Sequence, residues 1–175
     1  MVKLNKTPLR EGLEIKSEKD YQSGEIFKIL MDDCHRKCYI CEQKPTPPEV
    51  EHRVAHKGDL KLKYDWFNIF YACRHCNKIK NQKRFYCGII NPLEIDPEEC
   101  IELRMSYDSL RKRISDHLSV FLMFIKQYKE EQSIGDFDNI VDEVSVKSEF
   151  AAFKRQIIRD DPELLTRFED ALKIT

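Results

Sequence analysis

Between Ser23 and Cys34 the apolar residues Phe27, Leu30, Met31 and Cys34 recur every three or four positions, one face of a helix with Ser23 as its cap. At Glu49 the period changes. From there to Ala55 ("EVEHRVA") Val50 and His52 alternate with Glu51 and Arg53, the pattern of a strand with two unlike faces. "FNIFYAC", ending at Cys73, is apolar and β-prone, and the following "CNKIKNQKRF" is helical in composition. "KPTPP" before the first strand is a stiff loop that cannot join a sheet interior, and "HKGDLKLKYDW" is turn-like around Gly58–Asp59. The centre therefore reads strand, long loop, strand, helix.

Flanking segments are simpler. Residues 1–22 have weak periodicity and read as an arm, with a core over 23–90. "NPLEIDPEE" is a proline-punctuated linker that opens an acidic lobe over 91–175. In that lobe "CIELRMSYD" alternates as a further strand, and "SLRKRISDHLSVFLMFIKQYKEE" reads as one long helix. Two more helices are expected at 148–159 and 161–174, the last with Asp161 as cap and Pro162 in its first turn. The fold class is α+β, a small core with an N-terminal helix and a mainly helical C-terminal lobe.

Charge is segregated along the chain. The formal total is −1, yet 12 basic residues face 5 acidic ones between His35 and Tyr86, and 19 acidic face 12 basic from Cys87 onward. A basic centre can attract phosphates while an acidic flank keeps the chain soluble; the plainer reading is a solvated lysine-rich loop. The longest apolar run, "VFLMFI", is far shorter than the roughly 20 residues of a membrane span. With no apolar leader, a cytoplasmic protein without a membrane partner is expected.

Seven cysteines, an odd number, argue against a disulfide framework. Four form two C-x2-C pairs, Cys38/Cys41 and Cys73/Cys76, and each pair can give two thiolates to one tetrahedral zinc. One structural Zn2+ held by all four is expected. Cys34, Cys87 and Cys100 lack paired spacing and read as buried or idle thiols. The 31 residues between the pairs exceed what a minimal zinc ribbon uses, so the loop carries something.

That loop holds Glu51-His52 and Asn68, with Asn77 just past the second pair. An imidazole can take a proton from water at neutral pH. A hard cation needs oxygen ligands, which Glu51 and the Asn77 side-chain carbonyl can supply. Thiolates are too soft for such an ion, so it would be a second metal, Mg2+ or Mn2+, separate from the zinc.

These residues, from "CYICE" through "EVEHRVAHKGDLKLKYDWFNIFYACRHCNKIK", resemble the HNH endonucleases with their ββα-metal fold. The order of C-x2-C-E, E-H, D-W-x-N and C-x2-C-N-x2-K is similar to the HNH nuclease subunit of Septu-type and retron-linked antiphage systems. The resemblance spans Cys38 to Lys80 and fades through "INPLEIDPEECIEL". It implies a metal-dependent endonuclease acting on nucleic acid, DNA in the first instance. His52 would be the general base and Asn68 the asparagine that fixes the loop behind it. Glu51, in place of an aspartate, and Asn77 would be the catalytic-metal ligands, with Lys80 on the phosphate. It also implies a separate ATPase partner, and the chain has no phosphate-binding glycine loop of its own.

Two features oppose a simple transfer. Alternation places Glu51 and His52 on opposite faces of a regular strand, and His56 is the reserve base should they stay apart. Asn81 stands where such proteins carry glycine. Asn77 also suits a helix cap, Trp66 a core position and "VFLMFI" a helix core or partner surface. The alternative function is a zinc-stapled module that binds nucleic acid or protein without chemistry.

Overall fold

Two short strands organise the first half of the chain. β1 (Pro48–His52) and β2 (Ile69–Cys73) pair antiparallel, with Val50 opposite Tyr71 and His52 opposite Ile69. The structure is a computed structural model and describes residues 1–81, 89–101 and 109–173. It is a mixed α+β chain that divides into two compact units, Met1–Glu99 and Cys100–Thr175.

Every residue of β2 is buried, so both faces of this two-stranded sheet must be covered. α1 (Glu18–Gln22) and α2 (Gly24–Asp33) cover one face: Tyr21 meets the His52 ring edge-on, and Phe27 packs on Tyr71. Ser23 precedes α2 as expected, and Ile26 and Leu30 are its buried residues. The other face takes Tyr39, which lies between Cys38 and Cys41 in sequence and is stacked on Phe70 with ring centroids 4.6 Å apart. α3 (Leu60–Lys63) lies in the loop between the strands, capped by the Asp59 carboxylate, and a 3-10 turn (Trp66–Asn68) leads into β2. α4 (Arg74–Lys80) leaves directly from β2.

The first 22 residues are not a loose arm. Val2 and Leu4 are buried, the Leu4 amide donates to the Pro92 carbonyl at 2.9 Å, and Thr7 is tied to Asp33 of α2. Lys6 lies over the Trp66 ring at 3.8 Å and donates to the Trp66 and Ile69 carbonyls. Burial pulls its ammonium down to about 8. Residues 91–99 likewise belong to the first unit, so the division falls about ten residues later than the proline linker suggests.

After α5 (Pro97–Cys100), the second unit is helical among the described residues: α6 (Ser109–Glu131), α7 (Ile134–Val144), α8 (Ala151–Asp160) and α9 (Pro162–Lys173). Phe121, Ile140, Val144, Ile158, Leu164 and Phe168 form its core. α6 and α9 match expectation closely. α7 is not anticipated, although Phe137, Ile140, Val141 and Val144 share one face. α8 starts three residues late because Phe150 takes a left-handed conformation (φ 56°). The expected strand from Cys100 falls, after its first two residues, outside the described residues, as do Lys83, Arg84 and Cys87; Cys100 itself ends α5. No helix among the described residues is long and apolar enough to cross a membrane.

Candidate functional site

The two cysteine pairs meet. The sulfurs of Cys38, Cys41, Cys73 and Cys76 all lie within 4.8 Å of one another, and Cys41 Sγ is 3.8 Å from Cys73 Sγ. A tetrahedral ion bonded to sulfur at about 2.3 Å holds its ligands roughly 3.8 Å apart, so the four thiols can hold one zinc. The first knuckle is fixed on β2 by the Tyr39 amide, which donates to the Tyr71 carbonyl at 3.0 Å. The second is built into a junction: Cys73 ends β2, caps α4 and accepts from the Cys76 amide at 3.3 Å. Among the described residues this is the only group of three or more His, Cys, Asp or Glu side chains close enough to share an ion. Cys34 stands apart, its thiol pushed up to about 12 by burial.

Asn68 is 3% exposed and stitches the loop between the strands. Its Oδ1 accepts from the Val54 amide at 2.8 Å, and its Nδ2 donates to the Val54 carbonyl at 3.0 Å and the Leu62 carbonyl at 2.9 Å. These bonds clamp both ends of the segment that follows His52. A buried carboxamide so engaged is a rigid brace.

His52 closes β1 and is half-buried. Its Nε2 lies 2.9 Å from the Lys63 carbonyl, which can only accept, so Nε2 carries the proton and Nδ1 the lone pair. Burial is the main cause that lowers its basicity; nearby His56, Lys80 and Lys63 add to it, and the Lys63 carbonyl opposes it. The imidazole therefore stays neutral, and able to accept a proton, at neutral pH.

Glu51 and Lys80 require correction. Glu51 is 2% exposed on the opposite face of β1 from His52. One carboxylate oxygen pairs with the Lys80 ammonium and the other accepts from the Tyr39 hydroxyl. Lys80, 3% exposed, also donates to the His52 carbonyl at 2.6 Å. Neither faces solvent: the carboxylate is not offered to a hard cation, nor the ammonium to a phosphate. Burial raises the Glu51 carboxyl, against the opposing pull of Lys80 and Tyr39.

Asn77 is likewise drawn elsewhere. Its Nδ2 donates to Glu49 at 2.8 Å and its Oδ1 accepts from Asn81 at 3.0 Å. With Glu49, Gln22, Phe27, Pro48 and Val50 it lines an open cleft of about 410 Å³. Glu51 and Asn77 thus do not form the donor set expected for Mg2+ or Mn2+. Asn77 and Lys80 lie on the same side of α4 and meet Glu49 and Glu51, alternate residues of β1. The helix is pinned to the strand by this ladder.

The basic surplus of the centre is partly internal. Lys37 and Lys80 are buried, Arg74 is paired with Glu49 at 3.1 Å and Lys63 with Glu18 at 2.6 Å. What sequence reading did not supply is the contact of Tyr21 with the His52 ring, nor that His56, the reserve base, lies against the same ring with centroids 4.9 Å apart. The four-residue spacing of the two histidines in a turn-rich loop was the available hint.

The fold and site define a mixed α+β protein in which a four-cysteine cluster, able to hold zinc, joins the loop before β1 to the junction of β2 and α4. Compared with protein-family models, curated proteins and solved structures, the chain matches none.

Proposed function

We propose that the first unit is an HNH-type phosphodiester hydrolase acting on nucleic acid, with His52 as general base and the cysteine cluster holding a structural zinc. The observation that carries this reading is the pairing of an anchored imidazole with a buried brace. Lys63 holds one nitrogen of His52, Asn68 locks the loop behind it, and the remaining nitrogen is left with a lone pair. A histidine serving only the core does not need a buried asparagine to fix the turn around it.

In the reaction His52 Nδ1 takes a proton from water as the water oxygen bonds to phosphorus. The bond from phosphorus to the leaving 3′ oxygen then breaks, giving 5′-phosphate and 3′-hydroxyl ends. Because Glu51 and Asn77 do not converge, no step is assigned to a hard cation. DNA is the proposed substrate, and the acidic second unit is proposed to dock the ATPase subunit of an antiphage system.

His52→Ala should lower kcat by about 10²–10⁴, the usual contribution of a positioned base, with zinc content and melting temperature near wild type. Plasmid, single-stranded DNA and RNA cleavage assays with Mg2+, Mn2+ or EDTA measure this. A variant cutting at the parent rate removes the assignment. Since burial depresses the His52 imidazole, the acidic limb of kcat/KM against pH should have its midpoint below the ordinary value of about 6.5. Activity should be lost as pH falls through that midpoint and level above it. A midpoint at or above the ordinary value contradicts the buried, lysine-flanked setting of His52.

A further inference from the structure

We propose that His56 is a second catalytic imidazole, donating a hydrogen bond from its Nε2 to the phosphoryl oxygen while His52 activates water; this rests on the reading of His52 as base. His56 Nδ1 accepts from the Gly58 amide at 3.2 Å. An amide can only donate, so the proton of neutral His56 sits on Nε2. Both imidazoles are then the same tautomer, engaged at opposite ends. His52 spends its N–H on the Lys63 carbonyl and presents a lone pair; His56 spends its lone pair on Gly58 and presents an N–H.

Phosphodiester hydrolysis needs both kinds of group at one phosphorus: an acceptor for the water proton and a donor for the oxygen that gains negative charge. The two rings are in edge contact, centroids 4.9 Å apart and planes at 62°. The turn that sets this up is unusual in its backbone. Lys57 (φ 46°) and Gly58 (φ 93°) are both left-handed, and the Asp59 amide closes the turn on the His56 carbonyl at 2.7 Å. A non-glycine residue held at positive φ beside a reactive group is the kind of strain that functional sites retain.

The lysines whose charge reaches His52 are already committed. Lys63 is paired with Glu18, and Lys80 with Glu51 and the His52 carbonyl. Glu51 is buried against Lys80 and Tyr39, so its carboxylate does not supply a cation ligand there. The Nε2–H of His56, left by the Gly58 contact at Nδ1 and carried on the loop beside His52, is a donor that can meet charge on the phosphoryl oxygen. His56 keeps its proton throughout: the water proton goes to His52, and the leaving oxygen is protonated by solvent.

The test compares His56→Ala with His56→Gln, which retains a side-chain N–H, on the full chain cleaving a single-stranded oligonucleotide. The alanine variant should lose about 10²-fold in kcat, as removal of an oxyanion donor does, with KM within about twofold. The glutamine variant should recover roughly tenfold of that loss. Equal activity of the two variants overturns the proposal. Imidazole ¹⁵N spectra of the wild type should show His56 protonated at Nε2, with that nitrogen shifting as inorganic phosphate is added. An Nδ1 proton, or no shift, also overturns it. A wild type that cleaves nothing removes the hydrolase reading, and the phosphate titration then decides separately whether His56 meets a phosphoryl oxygen.

Discussion

Removal of the zinc proposed for the cysteine cluster should unfold the first unit and leave the second folded. Two strands make a sheet that is marginal in water without further support. The four sulfurs join a loop before β1 to the junction of β2 and α4. Structural zinc in small modules contributes on the order of 10 kcal/mol of apparent binding free energy, which is folding free energy when the apo form has no preformed site. Cys73→Ala should be as damaging as chelation, because it removes one of the four sulfurs and the cap of α4 together. The second unit has its own core around Phe121, Ile140 and Phe168 and none of these ligands. Amide spectra recorded during chelation under reducing conditions should lose dispersion for Met1–Glu99 and keep it for α6 to α9. Retained dispersion in both units would mean that the cluster does not hold the fold.

The second large effect concerns Glu51. Glu51→Gln leaves the Lys80 ammonium buried beside a neutral amide, and breaking a buried pair on one side costs about 3–5 kcal/mol. Lys80→Met should cost a similar amount by leaving the carboxylate uncompensated. Removing both charges together should restore much of the loss, since an apolar replacement for a buried pair is often close to neutral. Thermal or denaturant melts of the three variants measure this directly. A Glu51→Gln protein that melts like the parent yet cuts nothing would return Glu51 to metal binding and end the framework reading.

What was legible in the sequence was mostly local. The cysteine pairs declare themselves by spacing, and the hairpin by a change of hydrophobic period. The opposition of Glu51 and His52 followed from strand alternation alone, and the structure keeps them apart. Lys80 was not legible: a lysine three residues beyond Asn77 looks solvent-facing until a strand far back in sequence places a carboxylate against it. The N-terminal segment escaped for a related reason. It buries Val2 and Leu4 in an extended path, and its Lys6 lies over an aromatic ring, neither of which leaves a helical or alternating signature. α7 was hidden because Gly135, Asp136 and Asp138 read as turn residues while its apolar side follows the helical period.

The junction residue Cys73 bears on how such a site changes over generations. The four sulfurs lie at the Cys73 end of the strand pair, whereas the segment carrying His52 and His56 begins at the opposite end and is braced by Asn68 rather than by the cluster. For the proposed hydrolase, substitutions at the exposed residues of that segment would alter which nucleic acids are accepted and leave the four sulfurs in place. The same arrangement makes oxidants a threat, since disulfide formation within either knuckle would remove sulfurs from the cluster.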